Sequence, residues 1–291
     1  MTENSLNPLV TVYIPTYNRR DLLERAVRSV LDQTYKNIEL IIVDDRSNDD
    51  TMEFLKKLSI ADKRVRYFQN AVNSGACVSR NKAISAAKGE FITGLDDDDY
   101  FSNFRLEGFL RAWRIANINV VALYSNVCRK TQRGVKKASP RLNFCRYKDL
   151  VYSNWPGNQV FTKVIFLKSI GGFDTDLPAW QDLDCWYRLL KETKGEAHGI
   201  DDYSYILDVS HPHERISQKG NDKLEQAWEI FCNKNFLTDN EKNISRLMLA
   251  NYSGFRPDFY YLLKKITGMP RWKNFRHALI LVYLSFSVVK K

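Results

Sequence analysis

Four consecutive carboxylates, Asp96 to Asp99, follow the apolar run Phe91 to Leu95 in a chain with 44 Lys and Arg and 34 Asp and Glu. Adjacent like charges repel one another, so a divalent cation or a set of hydrogen-bond donors must stabilise the run. Because side chains alternate along an extended chain, the first and third carboxylates face one side. The run predicts a site where two carboxylates face one ligand. A solvated acidic turn before a helix is the alternative.

Two further polar groups follow apolar runs that are typical of buried strands. Residues 10–14 are followed by Pro15-Thr16-Tyr17, and residues 38–43 are followed by Asp44-Asp45. Apolar runs that alternate with segments of helical periodicity predict a parallel sheet covered by helices. Because ligands bind outside the carboxyl ends of such strands, we expect these groups and the acidic run at one edge of the sheet.

The element pattern is regular in the first half of the chain and irregular after residue 129. The predicted strands are 10–14, 38–43, 65–68, 91–95 and 120–125. The predicted helices are 21–33, 78–87, 105–117 and a helix through Leu58 that the cap residues 47–50 precede. Further on, we predict a loop at 155–159, a strand at 160–166, a turn at 171–174 and a helix that begins at Gln181.

Composition places the chain among ordinary soluble proteins. Of its 291 residues, 44% are hydrophobic and 27% charged, which is enough apolar material for a large core. Residues 1–8 contain no apolar signal segment, so we expect a cytoplasmic protein. The five cysteines are scattered and odd in number, which predicts reduced thiols rather than disulfides or a zinc site.

The carboxyl-terminal segment is basic and aromatic. Residues 256–291 contain eight Lys or Arg and the single acid Asp258, and they include an apolar stretch at 278–289. That stretch is shorter than the roughly 20 residues that span a bilayer. The combination favours a segment lying on an anionic membrane surface rather than nucleic-acid binding. A carboxyl-terminal helix packed on the core is the alternative.

The motifs and their order along the chain resemble those of glycosyltransferase family 2 of the GT-A type. Within that family, the chain resembles bacterial O-antigen and surface-polysaccharide transferases in particular. The matching segments are 12–19, 41–49, 73–81, 95–99 and 171–174 with 181–182. The resemblance implies an α/β, Rossmann-like fold with a mainly parallel sheet flanked by helices. It implies a catalytic domain over 1–220, with a nucleotide-sugar-binding half at 1–128 and an acceptor-binding half at 129–220. A helical, basic extension would follow at 221–291.

The resemblance also assigns roles on the donor side. Asp96 and Asp98 match the DxD motif, with Asp98 as a ligand of Mn²⁺ or Mg²⁺ and Asp96 directed to the ribose or a metal-bound water. Asp97 lies against the ribose in some relatives, so the division of roles stays open. The remaining matches would bind the nucleotide sugar: Pro15, Thr16 and Tyr17 pack the nucleoside, Asp45 accepts a hydrogen bond from uracil, and Arg80 lies near the diphosphate.

On the acceptor side, Asp182 matches the family's catalytic base. Gln181 occupies the position where the family usually has a glutamate, so no role is expected for a first carboxylate. Asp184 is the competing base. His213 could complete the metal shell or contact the diphosphate, and Trp155 and Trp180 could stack on sugars or pack in the core.

The resemblance, together with a base and the absence of an evident covalent nucleophile, implies an inverting transferase, and the substrates that follow are those that the resemblance implies. The transferase would move a hexose, with glucose or galactose favoured, from a UDP-sugar to a lipid-linked saccharide such as GlcNAc-diphospho-undecaprenol. The enzyme would lie on the inner face of the cell membrane, bound through its carboxyl-terminal segment and not to nucleic acid. A nucleotidyltransferase is an alternative, although the glycine-rich phosphate loop expected after the first strand is missing. A non-catalytic module that binds sugar nucleotides or polysaccharide is another.

Overall fold

A ten-stranded sheet organises the fold in the computed structural model, which describes residues 7–211 and 221–251. The strands are β1 Val10–Thr16, β2 Ile38–Asp44, β3 Val65–Gln69, β4 Phe91–Gly94, β5 Tyr100–Phe101, β6 Val120–Thr131, β7 Gly134–Lys137, β8 Phe144–Cys145, β9 Phe161–Lys163 and β10 Glu196–Asp208. The helices are α1 Arg20–Leu31, α2 Thr51–Ala61, α3 Ala76–Ala86, α4 Arg105–Ile115, α5 Val164–Ser169, α6 Gln181–Thr193, α7 Asn221–Lys234 and α8 Asp239–Arg246. Short 3-10 helices form at Tyr147–Val151 and Leu247–Asn251.

The sheet is mainly parallel, as predicted. Its strand order is β3-β2-β1-β4-β9-β6-β10-β5, with β7 paired to β6 and β8 paired to β10. All pairings among strands β1 to β4 are parallel: β1 with β2, β1 with β4, and β2 with β3. Strand β6 is parallel to β10. Because β9 is antiparallel to both β4 and β6, these two strands also run in one direction. The two parallel groups therefore place their carboxyl ends on the same edge.

Continuous apolar strands account for the core. Every residue of β1 and β2 is buried, as expected for central strands covered on both faces. Helix α1 adds Leu23, Val27 and Val30 at helical spacing. The Phe161 ring stacks on Phe91 and Phe109, with centroids 5.0 and 5.1 Å apart. Each large side chain buried in this way contributes about 1.5–3 kcal/mol. All five cysteines are free thiols.

The described chain forms two units. The first contains the sheet and consists of the residues up to Lys148, Trp155–Thr175 and the segment that begins at Gln181. The second contains Asp149–Asn154, Asp176–Trp180 and helices α7 and α8. In that unit Trp180 is 7% exposed and its ring packs on Phe231, so it belongs to a core. No helix within 7–211 or 221–251 has the length and apolar character needed to cross a bilayer.

Two segments of the second half differ from the sequence predictions. The strand predicted at 160–166 ends at Lys163, because Val164 begins α5 and buries Val164 and Leu167 three residues apart. Strand β10 was not predicted, since Gly199 and the acidic pair Asp201-Asp202 interrupt its apolar pattern. The structure accommodates this interruption with a register shift between Ile200 and Tyr205.

Candidate active site

The carboxyl ends of the parallel strands define one edge of the sheet, here called the site edge. Thr16, Asp44, Gly94 and Asp208 are the last residues of β1, β2, β4 and β10 on this edge. The sheet thereby gathers the segments expected to form a site. These segments contain seven of the predicted site residues: Pro15, Thr16, Tyr17, Asp45, Asp96, Asp97 and Asp98.

Asp97 connects the acidic run to the end of β1. Its carboxylate accepts a hydrogen bond from the Thr16 hydroxyl at 2.9 Å and pairs with the Arg19 guanidinium at 3.0 Å. Burial raises the pKa of Asp97 to about 6, with a smaller contribution from Asp98, although Arg19 and Thr16 oppose the rise. Thr16 is 3% exposed, whereas Tyr17 is 40% exposed and is the more accessible surface for a base.

Asp98 lies between a guanidinium and an imidazole. One of its oxygens, Oδ2, is 3.2 Å from Arg19 Nη1 and 3.4 Å from His211 Nε2. The side chains of Asp98 and His211 are only 11% and 8% exposed. A carboxylate oxygen and an imidazole nitrogen, two atom types that can bind a metal ion, therefore lie next to each other at the site edge.

The sequence reasoning assigned no role to His211 or Arg19, which both contact Asp98. His213, the predicted metal ligand, lies outside the described residues. The available signal for His211 was its position three residues after the end of β10, but that strand was not predicted. Arg19 stood inside a matching motif, and only the folded contacts show that it pairs with both Asp97 and Asp98.

Asp96 has different partners from Asp98, so the expectation that the first and third carboxylates face one side is wrong. Residues 97–98 form a turn instead of continuing the strand, and it is Asp97 and Asp98 that share Arg19. The Asp96 carboxylate pairs with Arg80 of α3 at 3.0 Å and accepts hydrogen bonds from Asn158 at 3.1 Å and Gln159 at 3.3 Å. Burial alone would lower the pKa of Arg80, but Asp96, together with Tyr13 and Cys77, raises it overall. The guanidinium therefore stays charged beside Asp96, where the resemblance places a diphosphate.

The Gly171-Gly172-Phe173 turn supports Arg80. The Arg80 guanidinium lies 5.2 Å from the centroid of the Phe173 ring. Asn81, the next residue of α3, bonds the backbone N–H and carbonyl of Phe173 at 2.7 Å each. Gly172 has φ +71°, and a Cβ there would lie 2.3 Å from the Asn81 side chain. A glycine at this position allows the turn to pack directly on α3.

Asp99 is a structural member of the run. It is 1% exposed and accepts hydrogen bonds from the Tyr205 hydroxyl and the Asp208 backbone N–H, both at 2.8 Å. Burial raises its pKa well above the ordinary range, and the charges of Asp96 and Asp98 add to the effect. Because both donors belong to β10, Asp99 fixes the end of the strand that leads to His211.

Asp45 organises the loop before α3. Its carboxylate accepts hydrogen bonds from the Asn70 side chain at 2.7 Å and from the backbone N–H groups of Ser74 and Gly75 at 2.8 and 2.7 Å. Gly75 has φ +88°, a conformation that favours glycine. Asp45 is 4% exposed, so the carboxylate is held in one orientation below the site edge.

The two acids at the start of α6 have different surroundings. Asp184 is fully buried and pairs with Arg188 at 2.8 Å, and Arg188 also donates to the carbonyls of Ile170 and Gly172. Asp182 is partly exposed. Burial raises the pKa of the Cys77 thiol to about 11; the charge of Arg80 acts to lower this pKa, and the charge of Asp182 acts to raise it. Asp182 therefore lies near the α3 side of the site.

The donor atoms at the site edge fit a divalent cation. Carboxylate oxygens suit Mg²⁺ and Mn²⁺, and Mn²⁺ also accepts imidazole nitrogen. Among residues 7–211 and 221–251, no three His, Cys, Asp or Glu side chains form a complete ligand cluster. Asp98 and His211 would supply part of a shell, which suits an ion that also takes substrate phosphate oxygens.

Comparisons with known proteins agree with this geometry. The model of Glycosyl transferase family 2 matches residues 11–170. WcaA of Escherichia coli K12, assigned as a glycosyl transferase to colanic acid biosynthesis, is 40% identical over 217 residues, which cover 72% of this chain and 76% of WcaA. WfaP of Escherichia coli, a UDP-Glc:alpha-D-GlcNAc-diphosphoundecaprenol beta-1,3-glucosyltransferase, is 46% identical over 93 residues, which cover 32% of this chain and 36% of WfaP.

A solved structure supports the fold. The crystal structure of Staphylococcus aureus TarS in complex with UDP-GlcNAc superposes with a TM-score of 0.66 at 19% identity, covering 92% of this chain and 81% of that one. This likeness confirms the predicted GT-A architecture. The family match extends over more than half of the sequence, and the relative WcaA matches over most of its own length. The chain therefore belongs to glycosyl transferase family 2.

Proposed function

We propose that the chain transfers a hexose with inversion from a UDP-sugar to a lipid-linked saccharide. The observation that carries this proposal is the acidic run at the site edge, where Asp98 contacts His211 and Arg19 and Asp96 pairs with Arg80. Such a site suits a diphosphate leaving group, because its developing charge needs fixed positive charge around it. A Mn²⁺ or Mg²⁺ ion held by Asp98 and His211 would supply further positive charge to the leaving diphosphate.

The nucleoside would bind at the ends of β1 and β2. Tyr17 is exposed enough to stack on a base, and Pro15 and Thr16 support it from β1. The Asp45 carboxylate accepts three hydrogen bonds within the protein, and its remaining lone pairs would accept one from uracil. Asp96 and Asp97 would receive the ribose hydroxyls, and Arg80 would contact the diphosphate.

Asp182 would act as the catalytic base. It would accept the proton of the acceptor hydroxyl while that oxygen bonds the anomeric carbon and the bond from that carbon to UDP breaks. A positioned carboxylate accelerates such a step by about 10²–10⁴-fold. Asp184 is a poor candidate for the same role, because its carboxylate is buried against Arg188. A single displacement of this kind inverts the configuration of the transferred sugar.

Relatives favour particular substrates within this class. WfaP uses UDP-Glc and a GlcNAc-diphosphoundecaprenol acceptor, and WcaA is assigned to the synthesis of a surface polysaccharide. We therefore favour glucose, with galactose next, and GlcNAc-diphospho-undecaprenol as acceptor. The catalytic domain would span 1–220, and the enzyme would lie on the inner face of the cell membrane. The basic segment 256–291, which lies outside the described residues, would contribute to membrane binding.

A panel of nucleotide sugars tests this proposal. The chain would be incubated with UDP-glucose, UDP-galactose, UDP-GlcNAc and GDP-mannose, each with a synthetic GlcNAc-diphospholipid, with Mn²⁺ or with a chelator. We expect UDP release and a new disaccharide with UDP-glucose or UDP-galactose, and loss of both in the chelator. Equal turnover in the chelator would contradict the metal assignment, and pyrophosphate release from UTP and a sugar phosphate would indicate a nucleotidyltransferase. UDP binding without donor consumption would indicate a binding module.

A further inference from the structure

A strongly basic segment begins at the end of strand β6. Residues 129–148 contain eight Lys or Arg and no Asp or Glu. Its first part forms a hairpin in which the end of β6 pairs with β7 from Cys128 with Lys137 to Thr131 with Gly134. Gly134, which follows the connection Gln132-Arg133, has φ +117°, a conformation that favours glycine. A defined element therefore presents these charges.

The hairpin charges are exposed and differ from the paired cations nearby. All of β7 is exposed, as are Arg129 and Arg133. Lys130 pairs with Asp208 at 3.1 Å, but Arg129, Arg133 and Lys136 form no ion pair with any acid in the described part of the chain. Unpaired surface charges of one sign create a potential that attracts a surface of opposite sign.

The hairpin also exposes an apolar side chain among its charges. Val135 is 53% exposed and lies between Gly134 and Lys136. Basic residues with an exposed apolar side chain suit the interface of an anionic bilayer, where charges meet headgroups and the apolar group enters the acyl boundary. The phosphates of a nucleic acid would pair with the same charges, but a nucleic-acid groove would offer no apolar partner to Val135.

The hairpin extends from the site edge. Strand β6 runs in the same direction as β10, and Lys130 is opposite Asp208 in their register. Asp208 in turn donates its backbone N–H to Asp99 of the acidic run. A surface bound by the hairpin would therefore lie on the side of the sheet where the acidic run and His211 are found.

We propose that the β6–β7 hairpin, residues 128–137, binds the anionic phospholipid surface and thereby turns the site edge toward the bilayer. This inference rests on the proposed function in one respect, because a lipid-linked acceptor would then be presented to the site from the membrane. It concerns an element distinct from the basic segment 256–291.

Vesicle binding by the full chain tests this inference without any acceptor. The variant Arg133→Gln/Lys136→Gln/Lys137→Gln would be compared with Lys36→Gln/Lys56→Gln/Lys63→Gln, which removes the same charge. Lys36 and Lys63 are exposed residues that precede β2 and β3, so they lie at the opposite edge of the sheet. Sedimentation would measure binding to vesicles of phosphatidylglycerol with phosphatidylcholine and of phosphatidylcholine alone, and thermal unfolding would confirm that both variants fold.

Each basic residue near an anionic bilayer contributes about a fivefold factor to binding. We expect the hairpin variant to bind the anionic vesicles at least about tenfold more weakly than the wild type, while the control variant changes by less than about threefold. Equal losses in the two variants, undiminished binding by the hairpin variant, or equal binding of the wild type to neutral vesicles would overturn the inference. A loss of RNA binding with unchanged vesicle binding would also overturn it. Transfer to a water-soluble acceptor is a separate readout, so failure here leaves the proposed function standing.

Discussion

Aspartates lie both at the end of β4 and at the start of α6, but their carboxylates have different kinds of partner. At the end of β4, the acids contact residues from distant parts of the chain: Arg19, Arg80, Asn158, Tyr205 and His211. At the start of α6, Asp184 pairs with Arg188, one turn further along the same helix. The acidic run therefore depends on several elements of the sheet unit, whereas Asp184 is paired with a residue of its own helix.

The comparison also separates structural acids from acids available to a ligand. Asp99 and Asp184 are each buried against a donor or a cation that uses their charge within the fold. Asp98 is also buried but contacts Arg19 and His211 at the site edge, and Asp182 is partly exposed. If this division holds, substitutions of the two classes should separate loss of activity from loss of stability.

The largest expected effect is that of Asp182→Asn. Transfer should fall by about 10²–10⁴-fold, because the base is lost, while UDP binding and the melting temperature stay close to those of the wild type. The matched variant is Asp184→Asn, which leaves Arg188 buried without its carboxylate and should cost about 3 kcal/mol of stability. Turnover assays, UDP titration and thermal unfolding of both variants measure the contrast. Full turnover by Asp182→Asn would remove it from the mechanism.

The next effect concerns Asp98→Asn. An amide in place of this carboxylate should weaken the apparent affinity for Mn²⁺ roughly 100-fold, measured as the metal concentration that gives half-maximal transfer. Asp32→Asn, a substitution of an exposed acid that follows α1, should leave that concentration unchanged. An identical metal dependence in Asp98→Asn and the wild type would place the metal ligand elsewhere in the run.

Asp208→Asn should lower stability in a pH-dependent manner. Burial alone would raise the pKa of Asp208, but hydrogen bonds from Ser210 and Lys130 and the charge of Arg25 lower it well below its usual range. A lowered folded-state pKa means that ionised Asp208 stabilises the fold above its ordinary pKa of 3.8 and that this contribution is lost as the pH falls below it.

Removing this carboxylate should therefore cost about 3 kcal/mol at neutral pH. The difference in unfolding free energy between the wild type and Asp208→Asn should shrink as the pH is lowered toward about 3. Urea unfolding at several pH values measures this difference. The control is Glu53→Gln, which breaks an exposed ion pair with Lys57 and should have no measurable effect on stability. A difference that stays constant with pH would show that the ion pairs of Asp208 do not stabilise the fold.

The smallest expected effect is that of Tyr205→Phe. The substitution leaves one buried oxygen of Asp99 without its hydroxyl donor, which should cost about 1–2 kcal/mol of stability. Transfer should change less than in Asp182→Asn. Tyr203→Phe, on the same strand and partly exposed, is the control in chemical denaturation. Equal stabilities of the two variants would mean that Asp99 does not depend on Tyr205.

The first half of the fold was predictable because its strands are continuous apolar runs. In β1, β2 and β4 local pattern and burial agree, so the predicted boundaries differ from the observed ones by one or two residues. Strand β10 could not be predicted, because its stability comes from pairing with β6 over a register shift rather than from its own pattern.

The sequence predicted which residues form the site better than it predicted the contacts between them. The position of the acidic run after a strand indicated Asp96 to Asp99 from sequence, and the structure gives Asp97 the Thr16 and Arg19 contacts that tie it to β1. The pairing of His211 with Asp98 depends on where β10 ends. Contacts between residues more than a hundred positions apart leave no signal in a local pattern.

The configuration of the product tests the central claim most directly. Transfer from UDP-α-glucose to the GlcNAc-diphospholipid acceptor, followed by NMR of the purified product, reports the coupling constant of the new anomeric proton. A single displacement assisted by Asp182 predicts a β-linked product, formed by the wild type and absent with Asp182→Asn. An α-linked product, or the same β-linked product at an unchanged rate from Asp182→Asn, would contradict the account.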